Sequence, residues 1–261
     1  MTGDEFDEVL AAVREFVRAE VVPREDEIDR TDEIPADLRD KAARMGLFGY
    51  ALPPEYGGLG CTMAQDVRLA IELGYTTPAF RSLFGTNNGI AGQVLVAHGT
   101  EEQRRAYLPR MASGELVASF ALSEAEAGSD PGGLRTRARR DGDGYVLTGT
   151  KRFITNAPLA DLFVVFARTD PRATGTRGIS VFAVDAARPG VAVGPRDHKM
   201  GQAGAWTADV AFTGVQVPAD ALVGEQAQAG YVTAMRSLAH GRLIIAAMCV
   251  GVAARLIDES V

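Results

Sequence analysis

The chain has 261 residues, 46% of them hydrophobic and 23% charged, enough to bury a sizeable core over one or two domains. Its formal charge of −7 repels a phosphate backbone, which argues against nucleic acid as a partner but leaves room for a phosphorylated small ligand at a local site. Two cysteines, Cys61 and Cys249, form neither a disulfide framework nor a metal motif and fit a reducing compartment.

Asp4, Glu5, Asp7 and Glu8 stand where a signal peptide would carry basic residues, so a cytoplasmic location is expected and the charged run reads as a solvated helix face. Phe6, Val9, Leu10, Val13, Phe16, Val17 and Val21 recur at three- and four-residue spacing and predict a helix with one apolar stripe. Each large side chain of that stripe contributes ~1.5–3 kcal/mol on burial, before conformational entropy. Pro23 is expected to end this helix, and Pro35 to open a short one running to about Gly46. Pro53–Pro54 and Gly57–Gly60 read as loop, residues 63–73 as helix, and Thr100–Gln103 as a capping box opening a helix that closes at Ser113–Gly114.

From Leu116 the periodicity changes. Residues 135–140 and 145–150 around Asp141-Gly142-Asp143-Gly144 predict a hairpin, and 162–167, 179–184 and 207–212 predict further strands. Strands without intervening helices imply an antiparallel sandwich or barrel. After Pro218 and Gly224 the helical pattern returns from Val232 to Leu256. Its longest apolar run, 243–254, is too short for a membrane span and reads as a buried helix segment. The fold class is therefore α+β, with a helical region at 1–116, a β domain at 117–224 and a helical segment at 225–261.

Two stretches carry candidate chemistry. Phe120 to Asp130 follows a strand and combines hydroxyls with Gly128, where backbone can approach a ligand or take positive φ; Ser123 and Ser129 can donate to phosphate or ring oxygens. On local composition a strand end and turn closed by Asp130 is the simpler reading. In Gly149 to Asn156, Phe153 can lie against a planar ligand and Thr155 can hydrogen-bond its edge, or the segment is a plain strand with a core phenylalanine. There is no G-x-G-x-x-G, P-loop, G-x-S-x-G or H-E-x-x-H pattern, and no metal site is expected. His98, His198 and His240 read as isolated surface or capping residues, and Met200 and Trp206 as core or loop-packing residues.

Taken together, Phe120-Ala121-Leu122-Ser123-Glu124 through Gly128-Ser129-Asp130, Lys151 with Phe153-Ile154-Thr155-Asn156, Lys199-Met200-Gly201, Val217-Pro218 and Leu222-Val223-Gly224-Glu225 resemble the acyl-CoA dehydrogenase family along the whole chain. The resemblance implies N-terminal helices, a middle β domain holding FAD, and a C-terminal four-helix bundle of which residues 225–261 are the start. It implies that Phe120, Leu122, Ser123, Gly128 and Ser129 meet the flavin or its pyrophosphate, and that Phe153, Ile154 and Thr155 lie beside the isoalloxazine ring. Ser129 and Arg242 fall where the family meets the acyl-CoA, or acyl-carrier, thioester.

The implied reaction is α,β-dehydrogenation, in which a glutamate takes the α-proton and the flavin the β-hydride, with electron-transfer flavoprotein or a similar acceptor downstream and a homo-oligomer as the assembly. A flavin-dependent monooxygenase, an acyl-carrier-protein dehydrogenase or a non-catalytic flavin-binding subunit are the alternatives on the same fold. The sequence departs from the family where some members carry the base immediately before the arginine. That position is Gly241, and Ala239 and Ala203 replace an acid and an arginine, so no residue of the chain is assigned as base.

Overall fold

In a computed structural model the described residues are 1–224 and 229–261; Glu225, the last residue of the resemblance at Leu222–Glu225, lies outside them. Seven helices come first: α1 Gly3–Phe16, α2 Glu25–Thr31, α3 Ala36–Arg44, α4 Met63–Leu73, α5 Pro78–Asn88, α6 Ile90–His98 and α7 Glu101–Ser113. The apolar stripe of α1 is buried as its spacing requires, from Phe6 through Val21, with only Val9 at its margin. The chain does not leave the helical path at Pro23. A π turn at Val17–Val21 and a 3-10 turn at Val22–Arg24 carry it into α2, because the tighter turn tolerates the missing N–H. The capping box at Thr100 and Gln103 forms, and Gly114 ends α7 with φ 80°.

Helices α5 and α6 were not legible in the sequence, because Gly85, Asn87, Asn88 and Gly89 weaken helix propensity. Tertiary contacts override this: the Asn87 amide donates to the carbonyls of Met111 and Leu116, and the Asn88 amide to those of Leu47 and Phe84.

Seven strands follow: β1 Ala118–Ala121, β2 Arg137–Asp141, β3 Gly144–Thr155, β4 Leu162–Arg168, β5 Ile179–Asp185, β6 Val191–Arg196 and β7 Thr207–Val217. They form one sheet in the order β1-β4-β2-β3-β7-β6, with β5 also on β4. The hairpin β2–β3 turns at Gly142, φ 55°. The sheet is mixed rather than wholly antiparallel: β1 runs parallel to β4, and β2 meets β4 in parallel at Arg137 and Arg168. Parallel neighbours need a long crossover, and residues 122–161, which contain the β2–β3 hairpin, provide it. β6 escaped sequence reading because it holds Gly194 and Pro195, which an edge strand tolerates.

Helix α8, Gly230–Ser260, packs one side against α4 and α6. A Cβ at Gly74 would lie 2.3 Å from the carbonyl oxygen of Met248, and one at Gly251 2.1 Å from that of Ile71, so α4 and α8 touch backbone to backbone. One expectation fails here. The 243–254 run is not buried: Ile244, Ala247, Met248 and Gly251 face inward, while Leu243, Ile245 and Val250 are exposed. The helix as a whole is also long and apolar enough, by length and composition, to cross a membrane. Met200, read as a packing residue, is fully exposed. Trp206 does pack in a loop, with its indole N–H on the carbonyl of Asp32 and Arg196 over its ring.

Candidate functional site

The two motif stretches meet along the edge of β3. Ser119 Oγ donates to the carbonyl of Thr155 at 2.8 Å, the Arg152 N–H donates to that of Ser123 at 2.9 Å, and Lys151 Nζ donates to that of Leu122 at 3.0 Å. Three contacts thus strap β1 and the segment after it to the end of β3. Lys151 is fully buried, and its Nζ also lies 2.8 Å from Glu124 Oε1. Glu124 in turn accepts from the backbone N–H groups of Arg135 at 2.6 Å and Thr136 at 2.9 Å. Burial alone would raise the Glu124 carboxyl; the Lys151 charge and these donors outweigh burial and hold it below its ordinary value. Burial likewise pushes the Lys151 ammonium down to about 8, with Glu124 opposing the shift.

Glu124 and Ala127 close a tight turn through reciprocal backbone hydrogen bonds of 3.0 and 3.2 Å, which presents Gly128 and Ser129 beyond it. Gly128 does not take positive φ. Apart from its chain neighbours, no protein atom lies within 4 Å of where its Cβ would be, so its value is a bare backbone beside open space.

On β3 the register slips between Lys151, opposite Val210, and Ile154, opposite Ala208: three steps on one strand match two on the other. Phe153 sits in this bulge with φ 57°, a strained conformation for a bulky residue, and is 61% exposed. The Arg152 guanidinium, paired with Asp209 at 2.5 Å, lies over the ring of Phe153 at 4.6 Å. The bulge therefore swings an aromatic ring out of the sheet with one face backed by a cation. Asn156, also at positive φ, sends its amide to the carbonyls of Ser82 and Leu83 and to Thr86 Oγ1, which fixes the end of β3 against α5.

The result is a cavity of about 530 Å³ bordered by all nine residues singled out from the sequence: Phe120, Leu122, Ser123, Gly128, Ser129, Phe153, Ile154, Thr155 and Arg242. Ile154 is at the same time 2% exposed and part of the core of the sheet. Sequence reasoning missed the wall contributed by helices: Thr86, Ile90, Tyr231, Met235 and Leu238. The last three precede Arg242 at helical spacing on one face of α8; Met235 and Leu238 belong to the pattern read only as a helix, and Tyr231 stands just before it.

Among the described residues that border this cavity, Asp130 is the one carboxylate, and its Oδ1 accepts from the Gly132 N–H at 3.0 Å. Gly241 borders an adjoining apolar cavity and brings no acid to it. His240, expected to be isolated, instead pairs with the buried Asp66 of α4 at 2.8 Å. Among the described residues no cluster of metal-ligating side chains occurs.

Comparison with known proteins decides the family. The family model for the acyl-CoA dehydrogenase N-terminal domain matches residues 3–115, and that for the middle domain matches residues 119–215. A probable acyl-CoA dehydrogenase from Mycobacterium abscessus superposes with a TM-score of 0.90 at 32% identity, covering 99% of this chain and 68% of that one. The chain belongs to the acyl-CoA dehydrogenase family. An acyl-CoA dehydrogenase from Bacillus anthracis, solved with FAD, gives a TM-score of 0.86 at 31% identity over 96% of this chain and 42% of its own. The caffeyl-CoA reductase–Etf complex subunit CarC of Acetobacterium woodii is 40% identical over 90% of this chain and 62% of its own. The chain spans about 65% of the length of the first curated relatives it matches.

Proposed function

We propose that this protein binds FAD in the cavity between β3 and α8 and serves α,β-dehydrogenation of an acyl thioester as an FAD-dependent oxidoreductase. The observation that carries this reading is the convergence of both motif stretches and one face of α8 on a single cavity. The residues suit a flavin. Phe153 offers an exposed ring for stacking, Thr155 a hydroxyl at the ring's edge, and Gly128 with Ser129 a bare backbone and a donor for a diphosphate. FAD, when bound, supplies the hydride acceptor. The chain's own residues orient it: the Lys151–Glu124 pair and the bulge at Phe153 hold the two walls in register.

The proton acceptor is a different matter. The family's reaction needs a carboxylate at the substrate's α-carbon. The one acid bordering the cavity among the described residues is engaged by a backbone N–H, and Gly241 has no side chain to offer. We therefore read this chain as the flavin-holding part of the catalytic unit. The apolar side of α8 left exposed at Leu243, Val250, Leu256 and Ile257 supports a further packing partner, such as a second copy in a homo-oligomer. We take electron-transfer flavoprotein as the acceptor, in keeping with the Etf-linked relative.

Two results are expected from the purified chain. It takes up FAD with a yellow spectrum, and saturated acyl-CoA added without oxygen leaves that spectrum unbleached. A protein that titrates with no FAD defeats the cofactor assignment; bleaching defeats the statement about the base. In Thr155→Ala, FAD affinity falls by about 2- to 30-fold, the effect of roughly 0.5–2 kcal/mol for one hydrogen bond at a ring edge. An unchanged dissociation constant together with an unchanged flavin spectrum would show that the ring lies elsewhere.

A further inference from the structure

Arg168 closes β4 where the sheet meets the rim of the flavin cavity. Its backbone N–H donates to the carbonyl of Thr136 at 2.8 Å, and it stands opposite Arg137 of β2. Its side chain pairs with no carboxylate among the described residues and is turned wholly on main chain. Nη2 donates to the carbonyls of Gly132 at 2.9 Å and Gly175 at 3.1 Å, Nη1 to those of Arg177 at 2.9 Å and Ala173 at 3.2 Å, and Nε to that of Leu134 at 3.4 Å. A guanidinium presents its N–H donors as one planar fork, and here five carbonyls from two separate loops surround that fork.

The two loops depend on it for their connection. Residues 130–134 begin with Asp130 and Pro131 of the cavity wall, immediately after Ser129, and residues 169–178 join β4 to β5. The loops lie close together: a Cβ at Gly132 would be 3.3 Å from the carbonyl carbon of Gly175 and 3.3 Å from Thr176 Cγ2. Each has local bonds of its own, from the Gly132 N–H to Asp130 Oδ1 and from the Thr169 N–H to the Gly178 carbonyl. Among the described residues, however, every hydrogen bond between residues 130–134 and 173–177 runs through the Arg168 guanidinium. Carbonyls cannot pair with one another, so whatever joins the loops has to be a donor. The sheet does not need this side chain, because β4 keeps its backbone pairing with β1 and β5 without it.

We infer that Arg168 is a positioning residue for the arm of the thioester: it holds residues 130–134 and 173–177 together as one lip on the Ser129 side of the cavity mouth. A thioester whose acyl end lies at Thr155 leaves the cavity between Ser129 and Arg242, and its arm then runs along that lip. A lip fixed before binding has no loop ordering to lose when the arm docks, whereas a short thioester that never reaches it gains nothing from the arrangement. A lysine cannot substitute, since an ammonium is a point charge with fewer donors than there are carbonyls to meet. The inference rests on the reading of the cavity as the site of flavin and thioester.

The test is calorimetric titration of the 261-residue chain, at saturating FAD, with butyryl-CoA and with butyryl-N-acetylcysteamine, which keeps the acyl group and only the thiol end of the arm. In Arg168→Met the dissociation constant for the CoA thioester should rise by about tenfold, the scale of a loop that must order on binding, while that for the short thioester stays within about twofold. Arg168→Lys should resemble Arg168→Met rather than the parent. Gly132→Ala keeps the arginine but sets a methyl between the loops, and should show the same arm-dependent loss in weaker form, about threefold. Equal losses for both thioesters, no loss for either, or parent-like binding by Arg168→Lys overturns the inference. If Arg168→Met does not fold, the comparison in Gly132→Ala decides by the same criterion. A parent chain that binds neither thioester defeats the functional reading and this inference with it. A parent that binds both, with variants that lack the arm-dependent loss, refutes this inference alone.

Discussion

Glu124→Leu is expected to destabilise the chain by about 3–5 kcal/mol, because it leaves the Lys151 ammonium fully buried with one carbonyl for company. For a chain of this size that corresponds to a fall of roughly 6–20 °C in melting temperature. The double variant Glu124→Leu with Lys151→Met should recover part of the loss, since removing both charges is far cheaper than stranding one. If Glu124→Leu unfolds within about 1 kcal/mol of the parent in a denaturant titration, the pair is not a structural linchpin.

The pair also predicts a pH profile. The Glu124 carboxyl lies below its ordinary value of 4.5 in the folded state, so its contribution is complete above that value and is lost as pH falls through the folded one. The ammonium, pushed down to about 8, acts in the alkaline range. Between about 8 and 10.5 the unfolded chain holds a proton that the folded chain has released, so stability rises with pH there. Lys151→Met should flatten the alkaline limb and leave unfolding otherwise two-state by circular dichroism.

The second large effect separates stability from binding at one residue. Phe153 is exposed, so removing its ring forfeits little packing, while its φ of 57° costs about 1–2 kcal/mol in a residue with a Cβ. Phe153→Gly should therefore leave the melting temperature of the FAD-free chain unchanged or slightly raised, after glycine's extra backbone entropy of about 0.5–1 kcal/mol is subtracted. FAD affinity, by contrast, should drop by roughly 10- to 100-fold as a stacking surface disappears, an effect of about 1.4–2.8 kcal/mol. A variant that binds FAD as tightly as the parent would show that the strained bulge serves something other than the ring. One that loses several degrees of stability would show that the ring is a packing element despite its exposure.

What the sequence revealed follows from the range over which each signal acts. The stripe of α1, the capping box at Thr100 and the Gly142 turn are local devices, and each forms as its residues dictate. The parallel pairing of β1 with β4 is non-local. Nothing in the short segment Ala118–Ala121 names its neighbour, so an all-antiparallel sheet was the natural and mistaken expectation. Helices α5 and α6 rest on asparagine amides that satisfy carbonyls some 24–41 residues away in the chain, which no propensity argument detects. At the site, family resemblance pointed to the motif residues on the sheet, and the structure brings all nine to one cavity. Arg81 stayed invisible because a lone arginine in a weak helix carries no local signature; only burial without an ion-paired carboxylate among the described residues distinguishes it. His240 was misread for the same reason, since its partner Asp66 is far away in sequence.

The amide of Asn156 ties the sheet to the helical layer by donating to two main-chain oxygens and a hydroxyl at once. Only a donor can satisfy that trio; a carboxylate of identical shape would confront the two oxygens with its own. The end of β3 is consequently riveted to α5 right beside Thr155 and Thr86, two residues of the cavity wall, so an aspartate at 156 should loosen the wall at that point.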